Sequence, residues 1–164
     1  MRNANQEIKE TGEIRSIVKR CDVCRVGLAV DGGAPYIVPM NFGFEFDAGG
    51  APEMPRLTLW FHGATEGRKL DLIADGCSAG FEMDTDHKLL VGESSCNYSM
   101  NYASIIGSGR IARVTEEDEK LHGLKAIMAH YGGAGRPFNE DSFARTCVLR
   151  LDVAEYACKR LQGA

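Results

Sequence analysis

The chain lacks the features that would send it to a membrane, a secretory route or nucleic acid. No uninterrupted apolar run in its 164 residues approaches the ~20 needed to span a bilayer. The opening Met1-Arg2-Asn3-Ala4-Asn5-Gln6-Glu7 has no apolar core, so no secretory signal is expected and a cytoplasmic location is. With 19 Lys and Arg against 23 Asp and Glu, the formal net charge is −4. That balance argues against a broad nucleic-acid surface, which needs clustered cations, but leaves room for one local basic pocket. Repeats and low-complexity tracts are missing, and so are the glycine patterns of Walker loops and Rossmann turns. A second CxxC or paired-histidine motif, needed to complete a four-ligand zinc site with Cys21-Asp22-Val23-Cys24, is also missing. That CxxC falls where a helix ends and a strand begins, not at a helix N-terminus where a thiolate is stabilised. No metal is therefore expected. The six cysteines read as free thiols of a reducing compartment, with a cysteine-based metal or redox protein as the minor alternative.

What is present fits one globular domain over 1–164, with 44% hydrophobic and 26% charged residues. Ile14, Ile17, Val18 and Cys21 recur at helical spacing and predict a helix from about Glu7 to Arg20. Two β-rich runs, Arg25–Val30 and Tyr36–Phe46, flank Asp31-Gly32-Gly33, a hairpin signal. A loop at Asp47–Pro55 leads to a strand at Arg56–His62, a short helix at Gly67–Ala74 and a strand at Ser78–Met83. A polar excursion around His87–Met100 precedes a strand at Tyr102–Val114, where Gly107 and Gly109 mark a bulge or bend. Thr115 is the expected N-cap of a helix whose first turn carries Glu116, Glu117 and Asp118. Its apolar face is expected to be Leu121, Leu124, Met128 and Tyr131. Gly132–Pro137 ends it, and Thr146–Val153 is a last strand. Hairpin-linked strands with few crossover helices indicate an α+β, mainly β domain around an antiparallel sheet or barrel.

Three segments carry chemistry. In Tyr36-Ile37-Val38-Pro39-Met40-Asn41-Phe42-Gly43-Phe44, a proline interrupts a strong strand, which suits an edge. Solvent beside that edge is the plain reading; a ligand there, met by Asn41 and the Met40 backbone, is the alternative. In Leu59-Trp60-Phe61-His62-Gly63-Ala64-Thr65-Glu66-Gly67-Arg68-Lys69-Leu70, a strand ends in a histidine and adjacent cations open a helix. Arg68 and Lys69 could hold a phosphate, or simply be solvated. In Tyr102-Ala103-Ser104-Ile105-Ile106, alternation puts Tyr102, Ser104 and Ile106 on one face, so Ser104 either meets a ligand or lies on the surface.

Taken together and in this order, the segments resemble the flavin-binding split-barrel superfamily of the pyridoxamine 5'-phosphate oxidases. The likeness is nearest to its 5-nitroimidazole-resistance-type branch and runs from about Glu13 to Lys159. It rests on Pro35-Tyr36-Ile37-Val38-Pro39-Met40-Asn41-Phe42-Gly43, on Phe61-His62-Gly63-Ala64 with Gly67-Arg68-Lys69-Leu70-Asp71, and on Tyr102-Ala103-Ser104-Ile105-Ile106-Gly107-Ser108-Gly109.

The resemblance implies an antiparallel split β-barrel with flanking helices, binding flavin mononucleotide (FMN) in a pocket between the subunits of a homodimer. Val38, Pro39, Met40 and Asn41 would run beside the flavin ring, and Phe61 and His62 would border it. Arg68 and Lys69 would hold the phosphate, and Ser104 takes the place of a ring-contacting glutamine. The implied activity is reduction of a small electron-poor acceptor, a nitro compound or quinone, with NAD(P)H as candidate donor and His62 as candidate proton donor. A non-catalytic flavin or haem carrier on the same fold is the alternative. Two departures point away from vitamin B6 oxidation. Pro39-Met40-Asn41 replaces the oxidases' longer basic strand, and their C-terminal substrate-binding region is not recognisable near Arg150–Arg160.

Overall fold

The computed structural model describes residues 6–51 and 54–163. In chain order they form β1 (Glu7–Ile8), α1 (Thr11–Arg20), β2 (Cys24–Leu28), β3 (Tyr36–Met40), β4 (Phe42–Ala51), β5 (Met54–Gly63), α2 (Arg68–Ile73), β6 (Cys77–Leu90), β7 (Ser99–Arg113), α3 (Glu117–His130), α4 (Glu140–Ala144) and β8 (Cys147–Leu161).

All strand pairs are antiparallel, in the order β3-β2-β6-β7-β8-β5-β4. The strands at the two ends of that order, β3 and β4, are neighbours in sequence, joined by Asn41 alone. The sheet must therefore curl until its edges meet at this corner, yet no ladder joins them among the described residues. A barrel with one open seam results, the antiparallel split β-barrel with flanking helices that the sequence predicts. Alternation along the strands fills its interior with Val26, Phe42, Leu59, Phe61, Met83 and Ile105, each fully buried.

The helices start and pack for local reasons. Glu10 caps α1, its carboxylate accepting from the Gly12 N–H at 2.9 Å and the Glu13 N–H at 2.6 Å. These bonds hold its carboxyl below the usual range. This cap, not Glu7, sets the helix start. Glu7 and Ile8 instead pair with Lys159 and Cys158, on the half of β8 that β5 leaves free. Ile14, Ile17 and Val18 bury the face of α1 turned to the core. Helix α3 lies over the outer face of β4, β5 and β8. A Cβ at Gly123 would come 2.6 Å from the Trp60 ring, so the helix approaches on its glycine face. Its buried stripe is accordingly Gly123, Leu124 and Ile127, not the expected Leu121, Leu124, Met128 and Tyr131. The N-cap is Glu116, not Thr115, whose hydroxyl faces the Glu116 carboxylate.

Other boundaries differ for tertiary reasons. The run Tyr36–Phe46 is two strands, because β3 pairs with β2 while β4 pairs with β5. The corner between them is pinned by Tyr131, whose hydroxyl accepts from the Phe42 N–H at 3.2 Å and donates to the Asp22 carbonyl at 2.6 Å. The expected loop at Asp47–Pro55 is mostly strand, with a register shift between Asp47 and Ala51; Pro52 and Glu53 lie outside the described residues. The polar excursion is a hairpin arm, with β6 running to Leu90 and β7 starting at Ser99. Strand β8 continues past Val153 to Leu161, and its register shift against β7 falls at Ser108/Gly109. Helix α4 was not expected; Asn139 caps it by accepting from the Ser142 N–H at 3.1 Å.

Candidate functional site

Three elements converge at one end of the barrel: the start of β3, the end of β5 and the start of α2. Gly67, with φ 122°, turns the chain into α2, a backbone conformation that favours glycine. The Arg68 guanidinium carbon lies 5.0 Å from the centroid of the Tyr36 ring, which places it at the open edge of β3. Lys69 folds back over Gly63, where a Cβ would come 2.5 Å from its Nζ. Among the described residues, neither cation has a carboxylate within 4.0 Å. Two adjacent, uncompensated cations suit a phosphate better than a structural ion pair.

His62 belongs to this corner. Desolvation, and secondarily the Lys69 charge, push its pKa below the ordinary value of 6.5. Its imidazole is therefore mainly neutral at pH 7, poorly charged for proton donation but able to accept or donate one hydrogen bond. Phe61 is different. It is fully buried in the barrel core, so its side chain cannot border a ligand as the sequence suggested.

Strand β3 is an edge strand, paired only with β2, which is where a proline is tolerated. Val38 and Met40 turn inward, while Pro39 and Asn41 face out. A ligand along this edge would thus meet the main-chain groups of alternate residues and the side chains of only Pro39 and Asn41. Tyr36 to Asn41 spans roughly 17 Å at ~3.3 Å per residue.

The outer face beyond that edge is bare. Pro39, Arg25, Glu82 and Ile106 form one row across β3, β2, β6 and β7. No described helix packs over it, and Ile37 and Ile106 are 65% and 52% exposed. Ser104 lies on this face one row beyond, opposite Asp84 and Lys159. Three strand steps, roughly 14 Å at ~4.8 Å each, separate β7 from β3. His62 and Ser104 are not brought together: His62 pairs with Val148 at the start of β8, and Ser104 with Lys159 near its end. The cationic corner and the Ser104 face are thus two ends of one track along the open side of the barrel.

The CxxC forms no part of it. Cys21 and Cys24 are buried, and burial pushes the Cys21 thiol up to about 12 and the Cys24 thiol up as well. Burial thus favours the thiol form of both, which weakens them as nucleophiles. Among the described residues, no group of three or more His, Cys, Asp or Glu side chains is placed to hold a metal ion. No described helix is long and apolar enough to cross a membrane.

The family profile of the pyridoxamine 5'-phosphate oxidases matches residues 10–160. The chain belongs to this family. No curated protein matches the sequence significantly. Among solved structures, a candidate 5-nitroimidazole antibiotic resistance protein from Bacteroides thetaiotaomicron is 29% identical, with a TM-score of 0.76 over 94% of this chain and 86% of that one. A flavocytochrome from Azotobacter vinelandii is 20% identical, with a TM-score of 0.77 over 99% of this chain and 72% of its own. An FAD- and haem-binding protein from Mycobacterium smegmatis is 21% identical, with a TM-score of 0.77 over 96% and 74%. These last two likenesses establish the fold of the family member and nothing further.

Proposed function

We propose that this family member is an FMN-binding oxidoreductase that works as a homodimer and passes electrons to a small electron-poor acceptor, a nitro compound or quinone. The observation that carries the reading is the pair of uncompensated cations, Arg68 and Lys69, set at the end of an open edge strand. Flavin bound there supplies reversible two-electron transfer. The chain's own residues would do the rest. Arg68 and Lys69 hold the phosphate, with Gly63 leaving space for the lysine stem. The main chain from Val38 to Asn41 offers donors and acceptors to the polar edge of the ring, and Ser104 supplies a hydroxyl at the far end of the track. His62 is a neutral hydrogen-bonding wall at the phosphate end; its lowered pKa and its distance from Ser104 weigh against a role as the acceptor's proton donor.

The bare face with Ile37 and Ile106 is the surface we assign to a second copy of the chain. Covering it would shelter the β3 edge and exclude water from the bound ring. The 29% identical Bacteroides structure, described as a candidate nitroimidazole resistance protein, supports a nitro compound as acceptor class, and NAD(P)H is the donor to try first.

The test is the absorbance spectrum of the purified protein, identification of whatever is released on denaturation, and turnover with NAD(P)H and a nitroaromatic or quinone. Flavin bands, released FMN and turnover are expected. A Soret band or a colourless protein that takes up no flavin would overturn the reading.

A further inference from the structure

A cavity of about 420 Å³ opens on the outer face of β6, β7 and β8, beside Ser104. Its acids are already engaged. Arg25 Nη1 donates to Asp84 at 2.6 Å and to Glu82 at 3.1 Å, and His87 Nε2 lies 2.8 Å from the second Asp84 oxygen. What remains for a ligand is donors. Lys159, opposite Ser104 in the ladder, has no carboxylate within 4.0 Å among the described residues, and its Nζ stands 5.1 Å from the Tyr102 ring centroid. Ser104 is only 7% exposed, yet its hydroxyl engages no hydrogen-bond partner among the described residues. The hydroxyl lies against this cavity. Met100, 41% exposed, supplies one apolar wall, and Ile106 supplies the other at the rim of the face assigned to the second copy.

Donors on one side, apolar walls on the other and acids already bonded to Arg25 and His87 define the guest. We propose that this cavity is a binding site for a small aromatic ring bearing negatively polarised oxygens, with Lys159 as the charged donor, Ser104 as a neutral one, and Met100 and Ile106 as the ring's walls. Nitro and quinone compounds share this chemistry. The proposal rests on the flavoprotein reading only in making the guest the electron acceptor; the recognition chemistry stands without it.

The test is calorimetric titration of the oxidised protein, as purified, with 4-nitrobenzoate and, in a second arm, with 1,4-naphthoquinone-2-sulfonate. Flavin content is read from the spectrum of the same sample. Lys159→Met is expected to weaken both ligands at least tenfold, Lys159→Arg to stay within about threefold of wild type, and Ser104→Ala to cost severalfold. Lys125→Met, on the exposed face of α3, should change nothing and controls for net charge. If only one arm responds to Lys159→Met, that compound class is the guest. Equal affinity in wild type and Lys159→Met, or displacement of either ligand by inorganic phosphate, would overturn the proposal. Response to Lys159→Met in a protein that binds no flavin would support the cavity and overturn the flavin reading instead.

Discussion

The two outer faces of the barrel are built from similar strands and have different fates. Over β4, β5 and β8 lies α3, and beneath it Trp60, Leu124, Ile127 and Val148 form a second buried cluster. Trp60 there is 4% exposed, and its indole N–H donates to Glu45 at 2.9 Å. Over β3, β2, β6 and β7 there is no described helix, and the row-forming residues are two exposed isoleucines, glycines and the Arg25–Glu82–Asp84 ion pairs. One face spends its apolar residues on the fold. The other leaves Ile37 and Ile106 exposed, and every outward-facing residue of the proposed ring track lies on that side.

The comparison breaks most visibly at Trp60. Trp60→Ala should cost about 3–5 kcal/mol of folding stability, as measured by denaturant unfolding, because it opens a cavity under α3 and removes one of the two donors to Glu45. A loss below about 1 kcal/mol would mean that α3 is not a fixed lid. On the bare face, Ile106→Arg should leave the folding of the single chain within about 0.5 kcal/mol yet shift the sedimenting species from dimer to monomer. A dimer that survives Ile37→Arg with Ile106→Arg would place the second copy elsewhere.

The sequence disclosed these two walls unequally. Helix α3 and its acidic first turn are plain in Glu116–Glu119, but its buried stripe is not, since Gly123 scores as nothing in a hydrophobic pattern and only its fit to Trp60 makes it the contact. The β3–β4 break was illegible because alternation runs straight through Asn41; the corner exists through Tyr131, ninety residues away in the chain. The hairpin arm of β6 and β7 escaped notice because it is exposed on both sides and carries no apolar alternation. The cationic corner was readable because His62, Gly63, Gly67, Arg68 and Lys69 are close in sequence. The resemblance set both Phe61 and His62 beside the ligand, whereas period-two alternation lets only one side chain of the pair face outward. Helix α4 went unread, although Asn139-Glu140-Asp141-Ser142 carries a cap followed by acids. His87 and Lys159 gave no signal at all, because only the ladder register brings them beside Ser104.

A smaller effect sharpens the account of His62. Its folded pKa is lowered, so the fold favours the neutral ring and the unfolded chain takes up a proton first as pH falls. Its contribution to stability is therefore present above the unfolded value of 6.5 and is lost as pH drops through the window beneath it. His62→Gln should flatten that part of the stability–pH curve. A titration followed by NMR should show the His62 pKa below 6.5 in phosphate-free protein and rising when a phosphate settles beside Lys69. A value that does not move would remove the anion from this corner.

The central claim is that Arg68 and Lys69 hold a flavin's phosphate, and one comparison of affinities tests it most directly. FMN and riboflavin share the ring and differ by the phosphate, so their ratio of dissociation constants isolates that end. Charge-assisted hydrogen bonds contribute about 1.5–3 kcal/mol each. Arg68→Ala with Lys69→Ala should therefore weaken FMN more than tenfold while leaving riboflavin within about threefold, collapsing the ratio toward one. Equal weakening of both ligands, or an FMN affinity untouched by the double substitution, would contradict the account.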